Sequence, residues 1–472
     1  MSTRIEKDSM GEVPVPADAL YGASTQRAVL NFPVSGQLIP ISIIHAYGLI
    51  KWAAARVNQS LGLLSQDKAD LIERAALEVA EGKLDPHFVL DIYQTGSGTS
   101  THMNVNEVIS NRACQIAGRP LGAKDPIHPN DHANLGQSSN DTFPTAIHMA
   151  VAQDLRGKLL PALESLHAAL ALKGDAFWEV LKIGRTHLMD ATPVRLGQEF
   201  RGYACQIEHS VDRVHKALKA IAELPLGGTA VGTGLNRHPN FPSRVIALLA
   251  EKTGFPFREA KDHFEAQSAK DALVEVSGQL KTIATSLFKI ASDIRWLGSG
   301  PQCAIGEIRL PAIQPGSSIM PGKVNPVLCE SVMQVCARVF GNDATVTWCA
   351  AAGSNFELNV MMPVLAAAVL ESIDLLANVS LIFSERCVAG IEAQKERCND
   401  LIESSLAMVT GLISKIGYDR AAIIAKESAN TGITVRELCL DRLDELGISK
   451  AELEEALDPA RMTAPEGTAA GA

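Results

Sequence analysis

Four polar segments punctuate an otherwise apolar, helix-patterned chain of 472 residues, and the candidates for chemistry fall in them. The most informative spans 316–326 and reads Gly-Ser-Ser-Ile-Met-Pro-Gly-Lys-Val-Asn-Pro. Two glycines and two prolines in eleven residues predict a shaped loop rather than a helix or strand. The closing Asn325-Pro326 predicts a helix start, with Asn325 as cap and Pro326 as first helical residue. Two hydroxyls, one cation and a helix N-terminus on one short span suit anionic oxygen. The bland reading is a polar connector ahead of an ordinary cap.

The other three segments have the same character. Gln94-Thr-Gly-Ser-Gly-Thr-Ser-Thr-His-Met-Asn-Val-Asn-Glu107 offers hydroxyls and amides suited to a carboxylate. Its Gly-Ser-Gly is a weak nucleotide signal, since no third glycine stands at the required spacing and no βαβ unit precedes it. His128-Pro-Asn-Asp-His-Ala-Asn-Leu-Gly-Gln-Ser-Ser-Asn-Asp141 holds two histidines and two aspartates, but without helical ligand spacing, so a metal site is the weaker reading. Ser138, Ser139 and Asn140 are candidate carboxylate donors ahead of a helix near Pro144, or simple helix caps. Gly184-Arg-Thr-His-Leu-Met-Asp-Ala-Thr-Pro193 places His187 before a helix that Thr192 and Pro193 are expected to start. A lone histidine is more often structural; only the combination raises this one. Glu330 follows the 316–326 loop by one turn. There is no nucleophile elbow and no P-loop. With hydroxyls, amides, a lysine, a histidine and a glutamate, the inventory suits proton abstraction beside a carboxylate, with no cofactor and no metal.

The elements that must position these groups are mainly helical. Residues 1–40 are expected to be irregular, broken by Pro14, Pro16, Gly22 and Pro33. From Ile41 to about Gln115 the apolar spacing is helical, interrupted at 82–86 and 94–100. Leu273, Val276, Leu280, Ile283, Leu287, Ile290, Ile294 and Leu297 form a heptad seam. Phe200, Ala204, Ile207, Val211, Val214, Leu218 and Ile221 form a second, and Leu328, Val332, Val335 and Val339 a shorter third. Stretches 147–170 and 364–383 are apolar on more than one face. Five long helices predict a bundle, and seams of this length predict that bundles associate between subunits. The expected domains are 1–137, mostly helical; 138–390, the central bundle; and 391–472, a small helical domain whose tail from Thr463 is expected to be disordered.

The bulk numbers exclude some classes. A net charge of −10 argues against nucleic-acid and anionic-membrane partners. Nine scattered cysteines without Cys-x-x-Cys read as reduced thiols and offer no iron–sulfur spacing. Neither a signal peptide nor an uninterrupted apolar run of transmembrane length is visible, so a cytoplasmic location is expected.

The 316–326 loop resembles the signature of the fumarase/aspartase superfamily, and the other three segments resemble its remaining characteristic blocks in the right order. The likeness runs from about Thr3 to Met462. Gly-Arg-Thr-His187, Gln-Ser-Ser-Asn140, Gly322 before Lys323, and Asn355-Phe-Glu-Leu-Asn359 are most similar to the class II fumarate hydratase branch, which needs no iron–sulfur cluster. The resemblance implies a mainly α, three-domain fold, a homotetramer with a twenty-helix core, and active sites shared between subunits. It implies a small dicarboxylate substrate, fumarate or malate, and reversible hydration through a carboxylate-stabilised carbanion. By position it implies Ser317 as general base, and His187 paired with Glu330 on the water. Ser97, Gly98, Thr99, Ser138, Ser139, Asn140, Thr186, Ser318, Lys323, Val324 and Asn325 match substrate-binding positions. His128, Pro129, Asn130 and Asp131 match a secondary carboxylate site.

Three departures stand out. His102 occupies a position where such enzymes usually have Asn, and a substrate-facing, titrating imidazole there would alter dianion binding. Asp125 stands where an Arg often precedes the secondary site, and Met362 where Lys is common. An aspartate ammonia-lyase or a hydratase of a substituted fumarate on the same scaffold is the alternative, and a non-catalytic structural protein the remote one.

Overall fold

A computed structural model describes residues 2–465. The expected disordered tail falls largely on residues 466–472, outside the described residues; Thr463 itself lies in the turn Arg461–Thr463 and accepts a bond from Gln198 Nε2 (3.0 Å).

The N-terminus is not irregular. β1 (Thr3–Asp8) and β2 (Gly11–Pro16) form an antiparallel hairpin, with Ile5 opposite Pro14 and Thr3 opposite Pro16. A two-stranded ribbon has only edge strands, so proline's missing N–H costs no ladder bond when it faces outward.

The rest is mostly helix. α1 (Ala23–Asn31), α2 (Ile41–Ser60), α3 (Gln66–Ala80), α4 (Thr99–Ile116) and α5 (Ser139–Asp154) build the N-terminal part. The break between α2 and α3, at Gly62, adds to the two read from the sequence. A π-turn, Leu155–Leu159, leads into α6 (Leu160–Ala176). The hairpin β3 (Leu181–Thr186) and β4 (Met189–Arg195) then precedes α7 (Leu196–Ala220). Thr192 and Pro193 therefore belong to a strand, a correction to the helix start expected there. Pro193 pairs with Ile183 on a two-stranded ribbon, where the same edge argument applies. After α8 (Phe241–Thr253) and α9 (His263–Ser268) come α10 (Asp271–Leu297), α11 (Val327–Gly353) and α12 (Met362–Arg386). At 27 residues α10 and α11 are each roughly 40 Å long.

The heptad seams are spent inside the chain. From Leu273 to Leu297 the seam residues are all buried, as are Phe200, Ile207, Val214, Val332 and Val339. The apolar groups left exposed lie elsewhere on these helices: Phe288, Trp296, Phe340, Trp348, Leu381 and Ile382. Most seam residues are thus covered within the chain itself. α12, continued to Gly390, is long and apolar enough by composition to cross a membrane, yet 67% of its most apolar window is buried inside the fold.

The chain divides into two compact units: Met1–Pro161 with Asp212–Ala284 and Val335–Asn378, and Ala162–Val211 with Thr285–Gln334 and Val379–Ala472. In the first, α2 lies against α3, α5 and α8, and α4 against α1, α3 and α5. In the second, short helices around Met408, Leu412, Ile424, Leu438 and Leu453 enclose a separate core, against which Leu181 of β3 packs.

Candidate active site

In the first unit, two helix N-termini meet. Ser97 Oγ and Thr99 Oγ1 lie 2.8 Å apart, and Thr99 Oγ1 and Ser139 Oγ 2.7 Å apart. Thr99 opens α4 and Ser139 opens α5, so the hydroxyls sit at the positive ends of two helices, a setting that favours an anion. Gly98 makes this geometry possible. Its φ is +74°, and a Cβ would stand 2.3 Å from the Phe143 ring. Ser138 is the N-cap of α5: its Oγ accepts from Asn140 N (3.2 Å) while its own N–H donates to Asp141 Oδ1 (3.0 Å). Capping uses Ser138 Oγ as an acceptor and leaves its O–H to donate, while Ser139 and Asn140 sit in the first helical turn. Asn140 Nδ2 donates to Ala230 O (2.8 Å). Asp141 is fully buried and accepts from Gly227 N and Thr229 N, both at 3.0 Å. Burial raises its pKa, against the pull of these three backbone donors.

In the second unit, His187 and Leu188 form the two-residue tip of the β3–β4 hairpin, with φ of 58° and 61°. Such a tip needs left-handed residues, and neither is glycine, so the backbone is strained where the candidate histidine stands exposed. The base of the hairpin is held by buried charge. Arg185 makes a bidentate pair with Glu307 (2.8 and 3.1 Å), and Lys182 Nζ reaches Glu199 (2.9 Å) and Glu307 (3.2 Å). Burial raises the pKa of Glu199. Thr186 is exposed beside the tip.

The 316–326 segment is a loop, as expected, and α11 begins at Val327. Asn325 is not the cap. Its Nδ2 donates to Gly316 O at 2.5 Å and closes the loop, while Pro326 O accepts the first helical bond, from Glu330 N (3.1 Å). A side chain on Gly316 would collide with Lys323 O, so the two limbs are in backbone contact. Ser317 Oγ accepts from Ile319 N (3.2 Å) and Met320 N (3.1 Å). The backbone amides that meet the Ser317 oxygen thus come from Ile319 and Met320. A cavity of about 470 Å³ is lined by this loop, including Ser317, Gly322, Lys323 and Val324. Ser318, Lys323 and Glu330 are exposed. Among the described residues, no hydrogen bond or ion pair joins His187 to Glu330, Ser317 or Lys323 within one chain.

The His128 segment forms a separate feature of the first unit. His128 Nδ1 accepts from Asn130 N (3.3 Å) and Asp131 N (3.2 Å), capping the turn Pro129–Ala133. Asp131 Oδ2 lies 3.3 Å from the same nitrogen. His128, Pro129 and Asn130 border a cavity of about 470 Å³ that also meets Lys7, Lys124, Glu6, Asp8 and Glu107. Asp125 is exposed, 3.8 Å from Arg119. His102 is 2% exposed, stacked on Tyr47 with centroids 5.8 Å apart, and its Nε2 lies 3.0 Å from Lys51 Nζ. Burial, then Lys51, hold its pKa well below the usual histidine range. A titrating imidazole at position 102 is not what the structure shows: His102 is buried and bonds locally, and its pKa is held low. Met362 is buried at the start of α12, its N–H donating to Gly96 O (3.0 Å).

Residues 11–341 match the family described as lyase, and residues 408–464 match the fumarase C C-terminus. A class II fumarate hydratase of Neisseria meningitidis is 51% identical over 466 residues, 98% of this chain and 100% of that protein. One from Mycobacterium tuberculosis is 53% identical, covering 98% and 96%. This chain belongs to the class II fumarate hydratase family. The solved class II fumarase of Schistosoma mansoni superposes with a TM-score of 0.94 at 39% identity, covering 99% of this chain and 100% of that one.

For a member of the class II fumarate hydratase family, sequence reading missed the donors that carry no side-chain signature. The amides of Ile319 and Met320 are invisible in residue type. Lys51 was also missed, though a lone lysine within Gly-Leu-Ile-Lys-Trp-Ala-Ala-Ala was its signal.

Proposed function

We propose that this chain is a fumarate hydratase, a lyase that adds water across fumarate in the anti sense to give (S)-malate. The observation that carries the reading is Ser317, whose hydroxyl oxygen accepts two backbone amides in a glycine- and proline-shaped loop. Two converging N–H groups favour the alkoxide over the hydroxyl, which is what a serine needs to act as a base.

In the malate-to-fumarate direction, the Ser317 alkoxide takes the proton next to one carboxylate. The electron pair passes into that carboxylate, held by Lys323, Asn325 and Ser318, with the backbone at Val324. The C–O bond on the neighbouring carbon then breaks, and the leaving hydroxide takes a proton from His187, tuned by Glu330, to depart as water. Thr186, Ser97, Gly98, Thr99, Ser138, Ser139 and Asn140 hold the substrate's oxygens. Ser138 caps the helix as an acceptor and keeps its O–H for the substrate. Family likeness supports a homotetramer in which these groups come from more than one subunit, and the exposed Trp296, Phe340 and Trp348 are apolar groups available to it. The three-part division at 137 and 390, a cytoplasmic location, and a second dicarboxylate site at His128–Asp131 belong to the same reading.

The test is to follow the absorbance of fumarate with malate, aspartate and methyl-substituted malates offered in turn. Turnover of malate alone is expected. Turnover of aspartate with release of ammonia, or preference for a substituted substrate, would overturn the assignment.

A further inference from the structure

Lys51 lies on α2, in the first unit, with 0% exposure. Its Nζ faces three acceptors: Gln137 Oε1 at 2.9 Å, His102 Nε2 at 3.0 Å and Asn134 Oδ1 at 3.3 Å. The two amides are oriented by the main chain. Asn134 Nδ2 donates to Gln137 O (3.2 Å), and Gln137 Nε2 to Leu135 O (3.2 Å) and Ala133 O (3.4 Å). Their nitrogens are committed to the main chain, so their oxygens face Lys51, and the Asn134 side chain also bonds His102. Three acceptors match the three N–H bonds of an ammonium and exceed the two of a neutral amine.

These acceptors stand next to the candidate donors. His102 follows Thr99 by one turn of α4. Asn134 and Gln137 belong to the segment that ends at Ser138, the cap of α5. The two N-termini tied to Lys51 are those whose hydroxyls meet in the 2.7 Å contact of Thr99 with Ser139. We propose that Lys51 is a positioning residue that holds the N-termini of α4 and α5 in register for a dicarboxylate, with His102 as the third acceptor of that lock. The proposal rests on the reading of this chain as a fumarate hydratase, in which Ser97, Thr99 and Ser139 receive substrate oxygen.

The lock is sensitive to pH. Burial brings the pKa of Lys51 down to about 7, opposed by the charge of Asp141. The titratable groups around it are Tyr47 on its own helix, His102 on α4 and Asp141 on α5; the preceding segment contributes the neutral Asn134 and Gln137. Burial raises the pKa of Tyr47 well above the ordinary tyrosine value and holds that of His102 well below the histidine range; it also raises that of Asp141, against three backbone amides that favour the carboxylate, so Lys51 is the group whose pKa falls to about 7. When it loses its proton, the charge-assisted bonds are lost: the amine keeps two N–H donors and can only accept from a His102 that turns Nε2–H toward it, so the tie between the two N-termini loosens.

The experiment compares wild type, Lys51→Met and His102→Leu as assembled enzymes. It measures KM and kcat for fumarate, and the Kd of succinate, a non-reacting dicarboxylate, from about pH 6 to pH 9. Wild type is expected to lose affinity for both as pH rises through the Lys51 titration. Lys51→Met is expected to raise KM and Kd about tenfold at the acid end, with a smaller change in kcat, and to flatten their pH dependence. His102→Leu leaves the ammonium short of one acceptor, so the loss of affinity is expected at lower pH than in wild type. Wild-type affinities and pH profiles in both variants would overturn the proposal. If Lys51→Met does not fold, the direction of the His102→Leu shift decides. Failure of wild type to hydrate fumarate at all would instead overturn the functional reading.

Discussion

The Oγ of Ser317 lies 3.1 Å from the amide nitrogen of Met320, and with the Ile319 amide at 3.2 Å two N–H groups converge on one hydroxyl oxygen. Removing that oxygen leaves the loop's closure intact, because Asn325 and Gly316 hold its limbs. Ser317→Ala is expected to lower kcat about 10³-fold with little change in substrate binding. Circular dichroism and gel filtration should match wild type. A rate near wild type would move the base elsewhere, with His187 the next candidate.

Mixed assemblies test whether sites are shared. His187→Asn and Ser317→Ala enzymes, each expected to be nearly inactive, are unfolded, combined and refolded. Recovery of up to about a quarter of wild-type activity is expected if each site takes the two residues from different chains. No recovery, with hybrid tetramers proven by mass, would put both residues in one chain's site.

Activity is expected to survive exhaustive chelation and exposure to air. The nine cysteines are scattered, and among the described residues no group of three His, Cys, Asp or Glu side chains is placed to hold a metal ion. Loss of turnover after chelation, restored by iron or zinc, would contradict this.

Gly98→Ala combines a left-handed backbone with a Cβ 2.3 Å from the Phe143 ring. A cost of about 2–4 kcal/mol is expected, together with weaker dicarboxylate binding, because Thr99 opens α4 at the next residue. Thermal unfolding and succinate titration would both have to be unchanged for the argument to fail.

His148 supplies a pH dependence of stability. Burial lowers its pKa from 6.5 to about 4, while Nδ1 lies 2.7 Å from Glu223 O. The unfolded chain therefore binds the proton first as pH falls. Folding is unaffected above pH 6.5 and loses stability between pH 6.5 and 4, by about 2 kcal/mol at pH 5 from this group. His102 acts in the same direction. His148→Gln is expected to reduce the drop in Tm between pH 7 and pH 5; an unchanged drop would assign it to other groups.

Much of the site was legible because its chemistry is carried by residue type within short segments. Ser317, Lys323 and Asn325 share one loop, and Ser138, Ser139 and Asn140 one helix start, so adjacency in sequence is adjacency in space. Asn325 illustrates the limit. Asn before Pro suggests a cap, but the side chain bonds Gly316, nine residues back, a partner that local preference does not contain. Thr192 and Pro193 carry a helix-start signal that strand pairing with β3 overrides.

Periodicity by itself determined the long helices, and the spacing of Leu273 to Leu297 determined which face each would bury. Residue types in the four polar segments determined the class of chemistry. Only the tertiary structure decided what those faces bury against: the seams close on their own chain, and Trp296 and Trp348 are left outside. It alone decided the state of His102, because burial and the neighbouring Lys51 set an imidazole's charge, and Lys51 stands 51 residues away in sequence. Pattern reports which side of an element is apolar. Partners, burial and protonation depend on contacts between elements distant in the chain, and those exist only once it has folded.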